Sequence, residues 1–202
     1  MFRLTSRSID MYVVGDHSAR HLLIGGERAQ KIQSAGTGDW INARGGNDFI
    51  AANAGNDSVI AGAGDDVVLG QGGRDVLQGR AGDDVLDGAI GHDRLFGGDG
   101  DDTIIGGDGN DVLYGDNAFG RRDGAVGNDV FVFDADDGRD KVWDFDTDHD
   151  QIALTGPVVA LDGTDENFSI SYFAKNTLIT YFDTEIRLFH AHLTADDISF
   201  LG

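Results

Sequence analysis

The sequence predicts an all-β fold: a coil of short parallel strands, with two nine-residue repeats to each full turn. Three registers carry that prediction. Aspartates recur at Asp39, Asp48, Asp57, Asp66, Asp75, Asp84, Asp93, Asp102 and Asp111. Two residues after each stands an aliphatic side chain, from Ile41 to Leu113, and two residues before all but the first stands a glycine, from Gly46 to Gly109. A fixed short period means one structural unit stacked on copies of itself. Each nonapeptide divides into a Gly/Asp-rich turn and a strand such as Val67-Val68-Leu69. That strand is too short for a capped helix, and a glycine in every repeat disfavours one. Nine residues make half a coil, so strands one full coil apart lie side by side at about 4.8 Å. The residue two after each aspartate then points inward, and neighbouring coils supply the burial that one repeat lacks.

The elements follow in order. Residues 1–35 read as N-terminal capping coils without metal: Leu23 and Ile32 keep the inward position, while His21 and Gln30 stand where aspartates would. Residues 36–133 form the repeat coil, interrupted by an irregular loop at 117–125 with Gly120 in place of an aspartate. Asp129, flanked by Gly127 and Phe131, follows Asp111 by one full coil of eighteen residues. Two rows are therefore expected. Row one is Asp39, Asp57, Asp75, Asp93, Asp111 and Asp129; row two is Asp48, Asp66, Asp84 and Asp102, ending at Gly120. Residues 134–202 read as a C-terminal β cap. Asp140 and Asp150 keep the Asp-x-aliphatic signature at looser spacing, and the alternation over 155–202, as in Leu178-Ile179-Thr180-Tyr181-Phe182, predicts antiparallel strands. A bare coil end would expose a sheet edge, so a cap is required.

Composition narrows the function classes. Lys plus Arg total 15 against 36 Asp plus Glu, a net charge of −21. Such an imbalance in a disordered chain would come with few apolar residues, but 40% are hydrophobic and they recur in register. The excess charge awaits cations, and nucleic acid, which needs a basic patch, is not an expected partner. With no cysteine, neither disulfides nor Cys-based zinc sites are available. No apolar run reaches transmembrane length, and the N-terminus lacks the apolar core of a cleaved signal peptide.

The ligand set is all oxygen: aspartate carboxylates and backbone carbonyls of the turn glycines Gly55, Gly62, Gly64, Gly73, Gly82, Gly98, Gly100, Gly107 and Gly109. Hard oxygen sites with many flexible ligands suit Ca²⁺ over zinc or copper, and Mg²⁺ holds its waters too tightly for such turns. An ion between successive coils would be shared by their turns. Six aspartates leave five gaps and four leave three, so about eight ions are expected. Carboxylates stacked one strand spacing apart repel by roughly 1–3 kcal/mol per neighbour. The metal-free repeats are therefore expected to be unfolded, with ion binding as the folding step. The rows differ one position before the ligand: Asp65, Asp83 and Asp101 flank row two, Arg74 and His92 flank row one. Weaker binding is expected at Asp75 and Asp93.

These nonapeptides resemble the RTX repeat, Gly-Gly-x-Gly-x-Asp-x-aliphatic-x. Residues 97–105 and 106–114 match it in full, while Gln71 and Arg80 replace the second glycine and the first repeat is out of step. The resemblance implies a right-handed parallel β-roll holding Ca²⁺. It also implies export by a type I secretion machinery from a Gram-negative cell, and folding in calcium-rich surroundings outside. The tail is similar to the C-terminal region of serralysin-type secreted proteins in residues 138–145, 150–154 and 193–200, and that resemblance adds Asp140, Asp144 and Asp150 as ligands. The terminal Asp197-Ile198-Ser199-Phe200-Leu201-Gly202 is a loose version of the family's acidic-then-apolar end.

No catalytic residues are assigned. There is no His-Glu-x-x-His and no Gly-x-Ser-x-Gly, the signatures of zincin proteases and lipase elbows. His190 and His192 could share a strand face but have no third ligand, and His17, His21 and His149 form no constellation. Outward apolar positions on the row-one side are Ile60, Phe96, Tyr114 and Val132, while Trp40, Phe49, Trp143 and Tyr172 could stack on sugars. Three readings stand. The first is a secreted, non-enzymatic calcium-binding module. The second is the C-terminal calcium-binding and secretion domain of a larger secreted enzyme such as a protease, lipase or epimerase. The third is a calcium-dependent protein that binds polysaccharide or a cell surface.

Overall fold

The computed structural model describes residues 11–13, 20–116, 127–156, 167–173, 176–189, 191 and 193–201. The irregular loop 117–125 with Gly120, and His17, His190 and His192, lie outside the described residues.

The chain winds between two sheets, laying one strand per nonapeptide. The first sheet has nine parallel strands in the order Met11–Val13, Lys31–Gln33, Phe49–Ala51, Val67–Leu69, Val85–Asp87, Thr103–Ile105, Val130–Phe133, Gln151–Thr155 and Ile198–Leu201. The second runs Leu22–Ile24, Trp40–Gly45, Ser58–Ala63, Val76–Ala81, Arg94–Asp99, Val112–Tyr114, Arg139–Val142, Thr184–Phe189, Asn176–Tyr181 and Phe168–Phe173. Partners through the repeats are one coil apart, as in Trp40 beside Ser58 and Val67 beside Val85. On one side the turns pair as well, through Gly72–Gly73, Ile90–Gly91 and Asp108–Gly109. This is the parallel β-roll that the nine-residue period implies. Among the described residues no helix is long and apolar enough to cross a membrane.

The core is two facing columns. One is Ile32, Ile50, Val68, Leu86, Ile104, Phe131, Ile152 and Ile198; the other is Leu23, Ile41, Val59, Leu77, Leu95, Leu113, Val142 and Leu188, and all are buried. Burying each such side chain gains about 1.5–3 kcal/mol. Strands of three residues suffice because only the middle one faces inward: Val68 is buried between half-buried Val67 and Leu69.

Two expectations are corrected. Asp129 does not continue row one. Val130 pairs with Thr103, so the coil that holds the irregular loop is 27 residues long and Asp129 follows Asp102. Val132 accordingly lies beside Ile105 in the first sheet, not on the row-one side. An insertion of nine residues leaves a nine-residue phase unchanged, so phase could not reveal which row received it. The C-terminal strands are also not all antiparallel. Phe168–Phe173, Asn176–Tyr181 and Thr184–Phe189 form two antiparallel hairpins. Thr184–Phe189 then pairs parallel with Arg139–Val142, and Ile198–Leu201 pairs parallel with Gln151–Thr155. Apolar alternation marks which face is inward but not the direction of the neighbour.

Candidate metal centre

Each turn delivers its aspartate to the same place. The backbone N–H of one aspartate donates to the carboxylate Oδ1 of the aspartate in the next coil. Row one runs Asp39, Asp57, Asp75, Asp93, Asp111 and Asp140, with N···O distances of 2.6, 2.8, 2.7, 2.7 and 2.8 Å. Row two runs Asp48, Asp66, Asp84, Asp102, Asp129 and Asp150, at 2.7, 2.8, 2.8, 2.9 and 3.0 Å. At the N-terminal end His21 and Gln30 donate their backbone N–H to Asp39 and Asp48 in the same way, so both rows end there on non-acidic residues. Asp144 sits off the rows, its two oxygens accepting the N–H groups of Gly115 and Asp116.

In ten of the row aspartates one carboxylate oxygen is thus used and the other is not, whereas Asp150 also accepts the Asp146 N–H on its second oxygen. Oδ2 of Asp39, Asp48, Asp57, Asp66, Asp75, Asp84, Asp93, Asp102, Asp111 and Asp140 is buried with no hydrogen-bond partner. An unsatisfied buried polar atom costs about 1–3 kcal/mol, more when charged. From Asp48 onward burial is accordingly the largest influence on the ladder carboxylates and raises their pKa; the donated N–H opposes it, and for most of them neighbouring carboxylates add to it. Asp102, Asp129 and Asp140 are pushed up to about 8. Asp48, Asp57, Asp84, Asp111 and Asp150 are pushed up to about 7, and Asp66, Asp75 and Asp144 to about 6. Asp93 is also raised by burial, with His92 and Arg74 opposing.

Carbonyls complete the donor set. At Gly79 a Cβ would stand 2.1 Å from Asp84 Oδ2 and 2.7 Å from the carbonyl of Gly97 in the next coil; at Gly97 it would stand 2.2 Å from Asp102 Oδ2 and 2.4 Å from the Gly115 carbonyl. Glycine therefore keeps open a space bounded by a carboxylate and a carbonyl oxygen, at separations close to calcium's oxygen contacts of about 2.3–2.6 Å. Among the described residues no three acidic or histidine side chains converge on one point. An ion placed in that space would meet a carboxylate and backbone carbonyls. Two of the expected carbonyl positions need glycine for a second reason: Gly73 and Gly109 have φ of 141° and 155°, and a Cβ there would lie 1.7 and 1.8 Å from the carbonyls of Gly55 and Gly91. Gly55, Gly62, Gly64, Gly82, Gly98, Gly100 and Gly107 share the positive φ. Between them lie non-glycine residues in the same conformation, Arg44, Asn53, Gln71, Arg80 and Ala89, which the missing second glycine had marked at Gln71 and Arg80.

The flanking acids make an outer ladder. Asp65 Oδ1 accepts the N–H of Asp83, and Asp83 Oδ1 that of Asp101, all exposed. On the row-one side the exposed partners are Arg74 with Asn56 and Asn110 with His92. Asp140 and Asp150, expected as ligands, are full members of the two rows despite their unequal spacing. Two features escaped the sequence reading. Asp137 is buried between the coil and a hairpin, its N–H donating to Thr184 Oγ1 at 2.9 Å, and no periodic signal marks it. The column Gly70, Gly79, Gly88, Gly97, Gly106 and Gly115, five residues before an aspartate in its first five members, was visible as an unbroken run but not singled out.

A parallel β-roll whose turns carry two buried ladders of half-satisfied carboxylates defines a class of acid-turned repeat proteins. The RTX calcium-binding nonapeptide repeat family matches residues 34–68, 60–95 and 87–118. Residues 34–118 thus carry RTX calcium-binding repeats, and RTX repeats in general bind calcium. In solved structures the chain is similar to the extracellular lipase LipA of Serratia marcescens, at 19% identity and a TM-score of 0.52, over 93% of this chain and 41% of the lipase. The chain thus spans less than half of that protein. It also aligns with the AlgE6R3 subunit of the Azotobacter vinelandii mannuronan C5-epimerase, at 25% identity and a TM-score of 0.25, over 67% of this chain and 77% of the subunit. Curated protein sequences contain no match.

Proposed function

We propose that this protein is a secreted, non-enzymatic calcium-binding module, exported unfolded by a type I machinery and folded by Ca²⁺ outside the cell. The observation that carries this reading is the set of buried, partnerless Oδ2 atoms. A fold that leaves ten desolvated carboxylate oxygens unpaired is stable only when a cation neutralises them. The ions would sit between successive coils, held by the two rows of aspartates and the turn carbonyls. With Asp140 and Asp150 in the rows, each row has five gaps, so the count rises from about eight to about ten. Arg74 and His92 beside Asp93 make that turn a weaker holder than Asp84. Far-UV circular dichroism during a calcium titration tests the reading: strand signal should grow with calcium and vanish in chelator. Equal strand signal in both conditions removes it.

A second reading, the C-terminal calcium-binding and secretion part of a larger secreted enzyme, is favoured by the extracellular lipase, whose length this chain only partly spans. The length of the native reading frame decides between them. Binding of a polysaccharide or a cell surface is compatible with either.

A further inference from the structure

Resting on the calcium reading, we infer that the gaps between coils fall into two classes, decided by the residue five positions before each aspartate. From Asp75 to Asp111 that residue is glycine: Gly70, Gly79, Gly88, Gly97 and Gly106 precede Asp75, Asp84, Asp93, Asp102 and Asp111. Gly115 takes the same place beside Asp129, where a Cβ would stand 2.1 Å from Oδ2. Before Asp75 it is Ser34, Ala43, Ala52 and Ala61, ahead of Asp39, Asp48, Asp57 and Asp66.

Gly70, Gly79, Gly88 and Gly97 leave open the space between Oδ2 and the next coil's carbonyl, and Gly106 and Gly115 leave open the space beside Oδ2 of Asp111 and Asp129. At Gly70 and Gly88 a Cβ would lie 2.6 Å from Asp75 Oδ2 and 2.6 Å from Asp93 Oδ2, with the carbonyls of Gly88 and Gly106 at 3.1 and 2.7 Å. Ala43, Ala52 and Ala61 put a methyl at that position, and all three are fully buried. At Ser34 the hydroxyl donates to the Ala52 carbonyl at 2.5 Å, satisfying the oxygen that elsewhere faces the open space. The early coils are thus filled by side chains where the later coils are left for an ion. The first four gaps, 39–57, 48–66, 57–75 and 66–84, hold calcium weakly. The six that begin at Asp75, Asp84, Asp93, Asp102, Asp111 and Asp129 hold it tightly. The N-terminal coils then fold by docking on the calcium-loaded part, helped by their packed methyls.

The test is calcium stoichiometry on the full chain, by isothermal titration calorimetry with native mass spectrometry, folding being checked by circular dichroism at saturating calcium. Six tight ions are expected. Gly79→Ala should lower the tight count by one and weaken the remaining neighbours in row two, and Ala61→Gly should raise it by one. Ten equivalent ions, or an Ala61→Gly protein that gains none, overturns the inference while leaving the calcium reading intact. No bound ion at all overturns both. If Gly79→Ala does not fold, the gain or absence of gain in Ala61→Gly decides alone.

Discussion

Up to Asp111 the ladder advances by a constant coil of eighteen residues, whereas beyond it the steps are 27, 29 and 21 residues. The hydrogen bond from one aspartate N–H to the next carboxylate is nevertheless the same in both regions, 2.7 Å from Asp93 to Asp111 and 2.8 Å from Asp111 to Asp140. The inward columns also run on, from Leu113 to Val142 and from Ile104 to Phe131. The ladder, then, does not depend on equal coils. It depends on returning an aspartate and an inward apolar residue to the strand-pairing distance, and the chain between is free to vary.

The largest expected effect is that of pH, and it is common to both regions. In the metal-free protein the folded carboxylates hold protons that an unfolded chain, titrating near 4, has released. Folded pKa values are raised, so their contribution to stability is present below about pH 4 and is lost as pH climbs through 6 to 8. Metal-free protein should gain strand signal when acidified from pH 8 to 4, and saturating calcium should abolish that gain. Carboxylate carbon NMR sharpens this: Asp102 and Asp140, one from each region and both at about 8, should release protons later than Asp66 and Asp75, at about 6. Joint titration of all four would break it.

Next in size is loss of a rung. Asp84→Ala and Asp140→Ala each strand a buried N–H, of Asp66 and Asp111 respectively, and each should destabilise the calcium-loaded protein by roughly 1–3 kcal/mol. Urea midpoints in saturating calcium measure this. A silent Asp140→Ala would remove the irregular region from the ladder.

A smaller effect of opposite sign lies in the regular region. Arg80 has φ of 93°, a conformation that costs a non-glycine residue about 1–3 kcal/mol. Arg80→Gly should raise the thermal midpoint, whereas the same change has no counterpart to relieve at Gly98 or Gly107. The smallest effect is expected from deleting residues 118–126, which shortens the 27-residue coil to eighteen. Loop closure changes by only about 0.6 kcal/mol for each doubling of length. Calcium stoichiometry and the CD spectrum should be preserved, and a lost ion would show that the loop does more than connect.

Much of this was legible in sequence. Nine aspartates in phase identify the turns, and their aliphatic partners, such as Leu77 and Leu86, identify the core, because side-chain direction in a strand is local. Asp129 was recognised as a ladder residue but given to the wrong row, since phase is counted modulo nine and a nine-residue insertion is silent. Asp140 and Asp150 carried the right signature at intervals that no repeat explains, and only the pairing of Lys141 with Val112 and of Gln151 with Val130 places them. The hairpin strand Thr184–Phe189 shows the same limit, its alternation open to either neighbour direction.

The sequence alone therefore determined the unit: its turn chemistry, its inward residue and its array of carboxylates, all properties of one nonapeptide. Only the tertiary structure decided the order of stacking: which aspartate lies above which, where the rows end, and which carboxylate oxygens are left without a partner. Those are relations between segments brought together by packing, and a chain written in one dimension records the spacing of such segments without recording which of them touch.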